Sequence, residues 1–157
     1  MLFPLTQFIE VNRLGEARYP AVKAQGILTA AGNASNGETV VIGSKVYSFV
    51  TTLSGVDGQV KIGSTKEETL ANLAAAINLT GVPNSQYTTQ TTLNTLVSAR
   101  VSGATLIATA KTGGTAGNSI ATTETCANMS WDAATLGTAR AGAEESGADS
   151  IIHLTIS

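Results

Sequence analysis

The residues able to do chemistry are few and scattered. His153 is the only imidazole and Cys126 the only thiol among 157 residues. Structural zinc sites take four ligands from Cys, His or carboxylates at short spacings. One residue of each type cannot supply that set, and no carboxylate stands where it would complete one. A Ser/His/Asp or Cys/His arrangement would have to use His153, which follows a small, acidic stretch and has no rigid support of the kind catalytic geometry needs. Cys126 has no adjoining basic residue to favour its thiolate and reads as a small apolar filler. Adjacent carboxylates occur at Glu67-Glu68 and Glu144-Glu145. The first pair suits a helix start and the second a solvated linker, so neither reads as an acid–base couple. No catalytic, cofactor-binding or metal-binding residue is therefore assigned.

Two further features invite a binding role. The glycine-rich run Thr112-Gly113-Gly114-Thr115-Ala116-Gly117-Asn118 could cradle an anion on consecutive backbone N–H groups. It lacks the Gly-Lys-Ser/Thr ending of a phosphate-binding loop and precedes a strand where that loop needs a helix, so a turn is the favoured reading. Trp131, Tyr47 and Tyr87 could build a stacking platform for a sugar, but so few rings suit core packing better.

The elements that would position these residues are mostly short strands. Gly26 to Ala30 can form one. Thr39 to Ile42 and Lys45 to Thr51 are β-branched and aromatic runs joined by Gly43-Ser44, a two-residue turn with glycine where type II′ requires it. Alternation places Tyr47 and Phe49 on the core face. Asp57-Gly58 marks a turn before the short strand around Val60 and Ile62. One amphipathic helix is expected over about residues 65–79, capped by Ser64 or Thr65 with Glu67 or Glu68 three residues on. Leu70, Leu73, Ala74 and Ile77 make its apolar stripe while Lys66, Glu67 and Asn72 stay wet, and Gly81 and Pro83 end it. Asn84 to Asn94 reads as a polar loop of variable conformation. Leu96 to Val101 and Ala104 to Ala110 read as a hairpin about Ser102-Gly103. Ile120 to Thr125 and Met129 to Leu136 complete the core.

The chain ends differ from this middle. Residues 1–24 hold Pro4, Pro20 and three of the seven aromatic residues, and their apolar positions follow no sustained period, as an extended arm would. Residues 138–157 read as a flexible linker and a terminal strand in which Ile152, Leu154 and Ile156 alternate with Ile151, His153 and Thr155. Residues 25–137 form the β-rich core module between them. The expected class is α+β and β-rich, built of antiparallel hairpins with one helix. Phe3, Leu5, Phe8 and Ile9 in the arm, and Ile152, Leu154 and Ile156 in the terminal strand, are the expected partner-binding residues.

Composition narrows the function. Charged residues make up 13% of the chain, against about 25% in typical globular domains. Nine Lys and Arg against 11 Asp and Glu give a net charge of -2, with no basic cluster to meet nucleic acid. No apolar run approaches the roughly 20 residues that span a bilayer, and Met1 to Ile9 lacks the basic start of a secretory signal. Neither nucleic acid nor membrane is an expected partner.

The middle of the chain resembles a module of tailed-bacteriophage virion proteins. The residues that carry the resemblance are Gly37 to Phe49, Val60-Lys61-Ile62-Gly63, the run Leu70 to Asn78, Ala108 to Thr125, and Ser130-Trp131. It covers about residues 25–137 and leaves out both ends. Such modules serve as non-enzymatic parts of head decoration proteins and of tail, baseplate or fibre proteins. The resemblance implies a virion structural protein without cofactors. The expected role is capsid decoration, or cement, with the chain self-associating as a homotrimer and holding the major capsid protein or other virion proteins through exchanged arms. The alternatives are a tail, baseplate or fibre component, which copy number per particle would separate, and a receptor- or glycan-binding module.

Overall fold

The computed structural model describes residues 19–146. The expected partner-binding residues Phe3, Leu5, Phe8, Ile9, Ile152, Leu154 and Ile156, together with His153, lie outside the described residues. The elements are β1 (Gln25–Ala30), β2 (Thr39–Ile42), β3 (Lys45–Val50), β4 (Gln59–Lys61), α1 (Lys66–Asn78), β5 (Val97–Ser102), β6 (Thr105–Ala110), a short 3-10 turn (Thr115–Ser119), β7 (Thr122–Glu124) and β8 (Met129–Trp131). The strands form two four-stranded sheets, ordered β5-β6-β1-β8 and β4-β3-β2-β7. The protein is α+β and β-rich, as its sequence leads one to expect.

Glycine position sets both hairpins. In β2–β3, Ile42 pairs with Lys45, and Gly43 between them has φ 64° while Ser44 keeps a negative φ. A positive φ at the first central residue alone matches a type II′ turn, whose twist suits the flanking strands. In β5–β6, Ser102 pairs with Thr105, so the turn is Gly103-Ala104 and not the expected Ser102-Gly103. The same rule explains the shift, because it brings Gly103, at φ 56°, to the first central position. Register then follows the pleat. Tyr47 and Phe49 are fully buried, whereas Val46, on the opposite face of β3, is 48% exposed.

One pairing departs from the antiparallel expectation. β4 lies parallel to β3, with Phe49 opposite Val60. The connection over residues 51–58 is short for a parallel neighbour, which usually needs a crossover of a dozen or more residues. Side-chain amides close it: Asn36 Oδ1 accepts from the Thr51 N–H at 2.9 Å, and Gln59 Oε1 accepts from the Ser54 N–H at 2.8 Å. The Asp57-Gly58 turn thus starts β4 beside β3 in the same direction.

Helix α1 begins at Thr65, whose hydroxyl accepts from the Glu68 N–H at 3.1 Å. Glu68 reaches back one residue further than a strict capping box, accepting from the Ser64 N–H at 2.7 Å. The helix ends at Leu79, which takes the left-handed conformation (φ 53°), with the Thr80 N–H bonded to the Ala75 carbonyl at 2.9 Å. The expected stop at Gly81 therefore moves two residues earlier. Gly81 instead has φ 83° beside the Gln86 side chain, where a Cβ would collide.

The helix bridges the two sheets, packing on β5 and β6 of one and on β4 of the other. Leu70, Leu73 and Ile77 are fully buried as expected, but so are Thr69 and, to within 5%, Asn72. The position of Asn72 corrects the expectation of a solvated side chain. It is enclosed because its amide donates to the Lys61 carbonyl at 2.9 Å and accepts from Gln86 Nε2 at 3.2 Å, which satisfies a polar group against the β4 edge. That edge is covered by the Asn84–Asn94 segment, where the Gln86 carbonyl accepts from the Lys61 N–H and Thr88 N–H donates to the Gln59 carbonyl. Tyr87, Thr88, Thr91 and Asn94 are buried there, so the segment is fixed by packing and not variable. At the other sheet's edge, Asn78 Oδ1 accepts from the Ala99 N–H at 2.9 Å and its Nδ2 donates to the Ala99 carbonyl at 2.7 Å. One side chain so takes the place of a neighbouring strand along β5.

Candidate functional site

The chain ends meet at the glycine-rich loop. Residues 19–25 and 140–146 run antiparallel, with Tyr19 opposite Ser146, Val22 opposite Ala143 and Gln25 opposite Arg140. Tyr19 and Ser146 exchange two backbone hydrogen bonds at 3.1 and 3.2 Å. The stretch before β1, expected to belong to the arm, is thus fastened from Tyr19 onward, and Ala24 is fully buried. The stretch expected as a flexible linker is fastened through 140–146.

The loop holds both strands of this ribbon. Gly114 N–H donates to the Val22 carbonyl at 2.9 Å, and a Cβ on Gly113 would strike Ala21. Glu144 Oε1 accepts from the Thr115 N–H at 2.7 Å and from its hydroxyl at 2.8 Å. Those two bonds, the backbone one foremost, hold the Glu144 carboxyl below its ordinary value of 4.5. Asn118 completes the clasp: its Oδ1 accepts from the Gly142 N–H at 2.6 Å and its Nδ2 donates to the Gly142 carbonyl at 3.1 Å. One loop N–H and one hydroxyl, both from Thr115, thus bind a carboxylate of the same chain, while the neighbouring Gly114 N–H goes to the Val22 carbonyl. Arg140 adds a bond from Nε to the Lys23 carbonyl at 3.0 Å. Sequence reasoning treats Thr112–Asn118 and Glu144 separately; nothing in their spacing links them.

The remaining singled-out residues are structural. Cys126 is half-buried, its thiol donating to the Thr39 carbonyl at 3.5 Å, and burial with the nearby charges of Glu38 and Glu124 pushes its pKa up to about 12. It stays a thiol at neutral pH, as a filler would. Glu68 caps α1, and Glu67 lies exposed in its first turn. Tyr47, Tyr87 and Trp131 are all buried, so the three rings do not share one exposed stacking face. Burial pushes Tyr47 up to about 12, with Asn94 Nδ2 donating to its hydroxyl at 3.3 Å. Lys45 Nζ lies 2.6 Å from both carboxylate oxygens of Asp57 and 2.7 Å from Thr92 Oγ1. The lysine bond foremost keeps Asp57 below its ordinary value and pins the covering segment to β3.

Among the described residues, no group of three or more His, Cys, Asp or Glu could hold a metal ion, and no helix is long and apolar enough to cross a membrane. Among the described residues Trp131 Nε1, which is buried, finds no hydrogen-bond partner, and the ring borders an open hollow of about 390 Å³ with Thr122, Glu124 and Ala133. Two smaller hollows flank Leu96, one of about 230 Å³ against the glycine-rich loop and one of about 160 Å³ against Lys45 and Leu93. No protein-family model, curated protein or solved structure matches this chain.

Proposed function

We propose that the protein is a non-enzymatic structural component of a bacteriophage virion, a decoration or cement protein of the head, which joins like copies and the shell through its two terminal segments. The observation that carries this reading is the Tyr19–Ser146 pairing, which sets the first and last described residues beside each other. Residues 1–18 include Phe3, Leu5, Phe8 and Ile9, and residues 147–157 include Ile152, Leu154 and Ile156. Apolar residues in this number suit burial against a partner, with about 1.5–3 kcal/mol gained per large aliphatic or aromatic side chain before ordering costs. The resemblance of residues 25–137 to virion modules points the same way, and the clasp gives the terminal segments a fixed point against which they can bear load.

The test is truncation. Removing residues 1–18 and 147–157 spares every clasp contact and is expected to leave a folded body that no longer attaches to capsids. Unchanged attachment of that body would overturn the role of the terminal segments. Capsids that never take up the intact chain would overturn the head assignment.

A further inference from the structure

We propose that the paired hollows around Leu96 are the seat for the terminal strand of a second copy, with two of its alternating aliphatic residues, Ile152 and Leu154, entering on either side of Leu96. This rests on the reading of the terminal segments given above and names the surface that receives one of them.

Three observations carry it. The first is the character of the surface. Leu96 and Leu93 are 42% and 47% exposed, large values for leucines lying next to a formed core. The larger hollow is walled mainly by Leu96, Ala110, Ala116 and Ile120; the smaller is of mixed character, with Ile42, Leu93 and Leu96 beside the polar Ser44, Lys45, Asn94 and Thr95. Volumes of about 230 and 160 Å³ lie below the roughly 300 Å³ at which small-molecule sites begin, and suit single aliphatic side chains. Thr95 and Leu96 border both hollows, so an extended segment crossing Leu96 could place alternate residues in the two.

The second is place. Thr112, Ala116 and Gly117 of the larger hollow belong to the loop that grips Glu144 and Gly142, so the hollow adjoins the point where the terminal strand departs. The third is direction. Within the ribbon, the chain runs from Arg140 opposite Gln25, at the sheet, to Ser146 opposite Tyr19, which is 65% exposed. The described chain therefore ends at an exposed position beyond its last bond to the loop, free to continue onto a neighbouring copy. Extended chain from Ser146 to Ile152 reaches about 20 Å at about 3.3 Å per residue, enough to enter an adjacent copy. Strand and seat are different surfaces, so the contact is heterologous, and copies linked by it close into a ring, such as a trimer, when their rotation permits.

Disulfide trapping in the full-length chain tests this. In a Cys126→Ser background, Leu96→Cys and Leu154→Cys proteins are mixed under mild oxidation, with Thr123→Cys on exposed β7 replacing Leu96→Cys as the control. A covalent dimer specific to the Leu96–Leu154 mixture is expected. Trapping no greater than in the control, or closure within one chain when both cysteines share it, overturns the exchange. A second variant, Ala116→Trp, fills the larger hollow from its exposed rim and is expected to weaken self-association by about tenfold, with an unchanged circular-dichroism spectrum. Unaltered association would remove the hollow from the contact. Sedimentation separates the two readings: an intact chain that associates without trapping retains the terminal-segment role and loses this seat, whereas a chain monomeric at every concentration loses both.

Discussion

Asn78 and Asn118 make the same interaction in two different settings. Each side-chain amide accepts from the N–H and donates to the carbonyl of one residue, Ala99 for Asn78 and Gly142 for Asn118. Each thereby stands in for a strand. Behind Asn78, however, are α1 and β5, whose Leu70, Leu73, Ile77 and Val97 are fully buried. Behind Asn118 is a ribbon whose two strands pair through isolated bridges and which meets the loop through a few hydrogen bonds, those of the exposed Glu144 carboxylate among them. Identical hydrogen bonds thus close the core in one region and tether the chain ends in the other. Local opening should be costly at the first and cheap at the second, because its free energy rises with the apolar surface that opening brings into water. A protein that must release or lend its ends is served by that division.

The division can be broken most severely from the core side. Phe49→Ala removes a fully buried ring from β3 and is expected to cost about 3–5 kcal/mol by chemical denaturation. A loss much below that range would mean that the two sheets repack as a softer unit than the burial suggests. Asn78→Ala comes next. It leaves the N–H and carbonyl of Ala99 without their partner at a half-buried edge, with an expected cost of about 1–3 kcal/mol. Asn118→Ala removes an equivalent pair of bonds, yet it should leave the global unfolding midpoint nearly unchanged while speeding protease cleavage between residues 140 and 146. Equal global losses in the two asparagine variants would erase the distinction between core and clasp.

A smaller effect is expected at the helix start. Thr65→Ala deletes the acceptor for the Glu68 N–H and should lower stability by about 1 kcal/mol, measured as a shift in denaturation midpoint at constant slope. Glu68 retains its bond to the Ser64 N–H, which limits the damage.

Legibility in the sequence follows the range of the interactions. The β2–β3 hairpin, the burial of Tyr47 and Phe49, and the Leu70–Leu73–Ile77 stripe all come from neighbours along the chain, where period and turn chemistry act directly. The departures are local slips in which turn geometry or packing decides between neighbouring positions. Gly103 rather than Ser102 takes the strained turn position, Leu79 ends α1 before Gly81, and Asn72 enters the interior because Gln86 and the Lys61 carbonyl satisfy it. The parallel β3–β4 pairing is hidden because side-chain amides, not a recognisable crossover, close residues 51–58. The clasp is not legible at all. Glu144 and Thr115 are distant in sequence, and an acidic, alanine- and glycine-rich stretch gives no sign of the loop that will hold it.

The mildest perturbation bears on what the clasp itself is worth. The Glu144 carboxyl is held below 4.5 by the N–H and hydroxyl of Thr115, so the folded form binds its proton less readily than an unfastened chain does. The contribution of this contact is then fully present above about 4.5, and it declines as pH falls through the lowered pKa of the fastened state. The Thr115 amide resonance should report it directly, moving with a midpoint below 4.5 as the carboxylate is protonated, while core amides such as that of Phe49 hold their positions. Glu144→Gln keeps an oxygen acceptor but removes the charge, so it should abolish this titration and raise protease access to residues 140–146 at neutral pH, with the global midpoint unmoved. If core amides shift with the same midpoint, the clasp and the body open together and the chain ends cannot be released separately. If only the Thr115 region responds, acid loosens the anchor of the chain ends and leaves the two sheets intact.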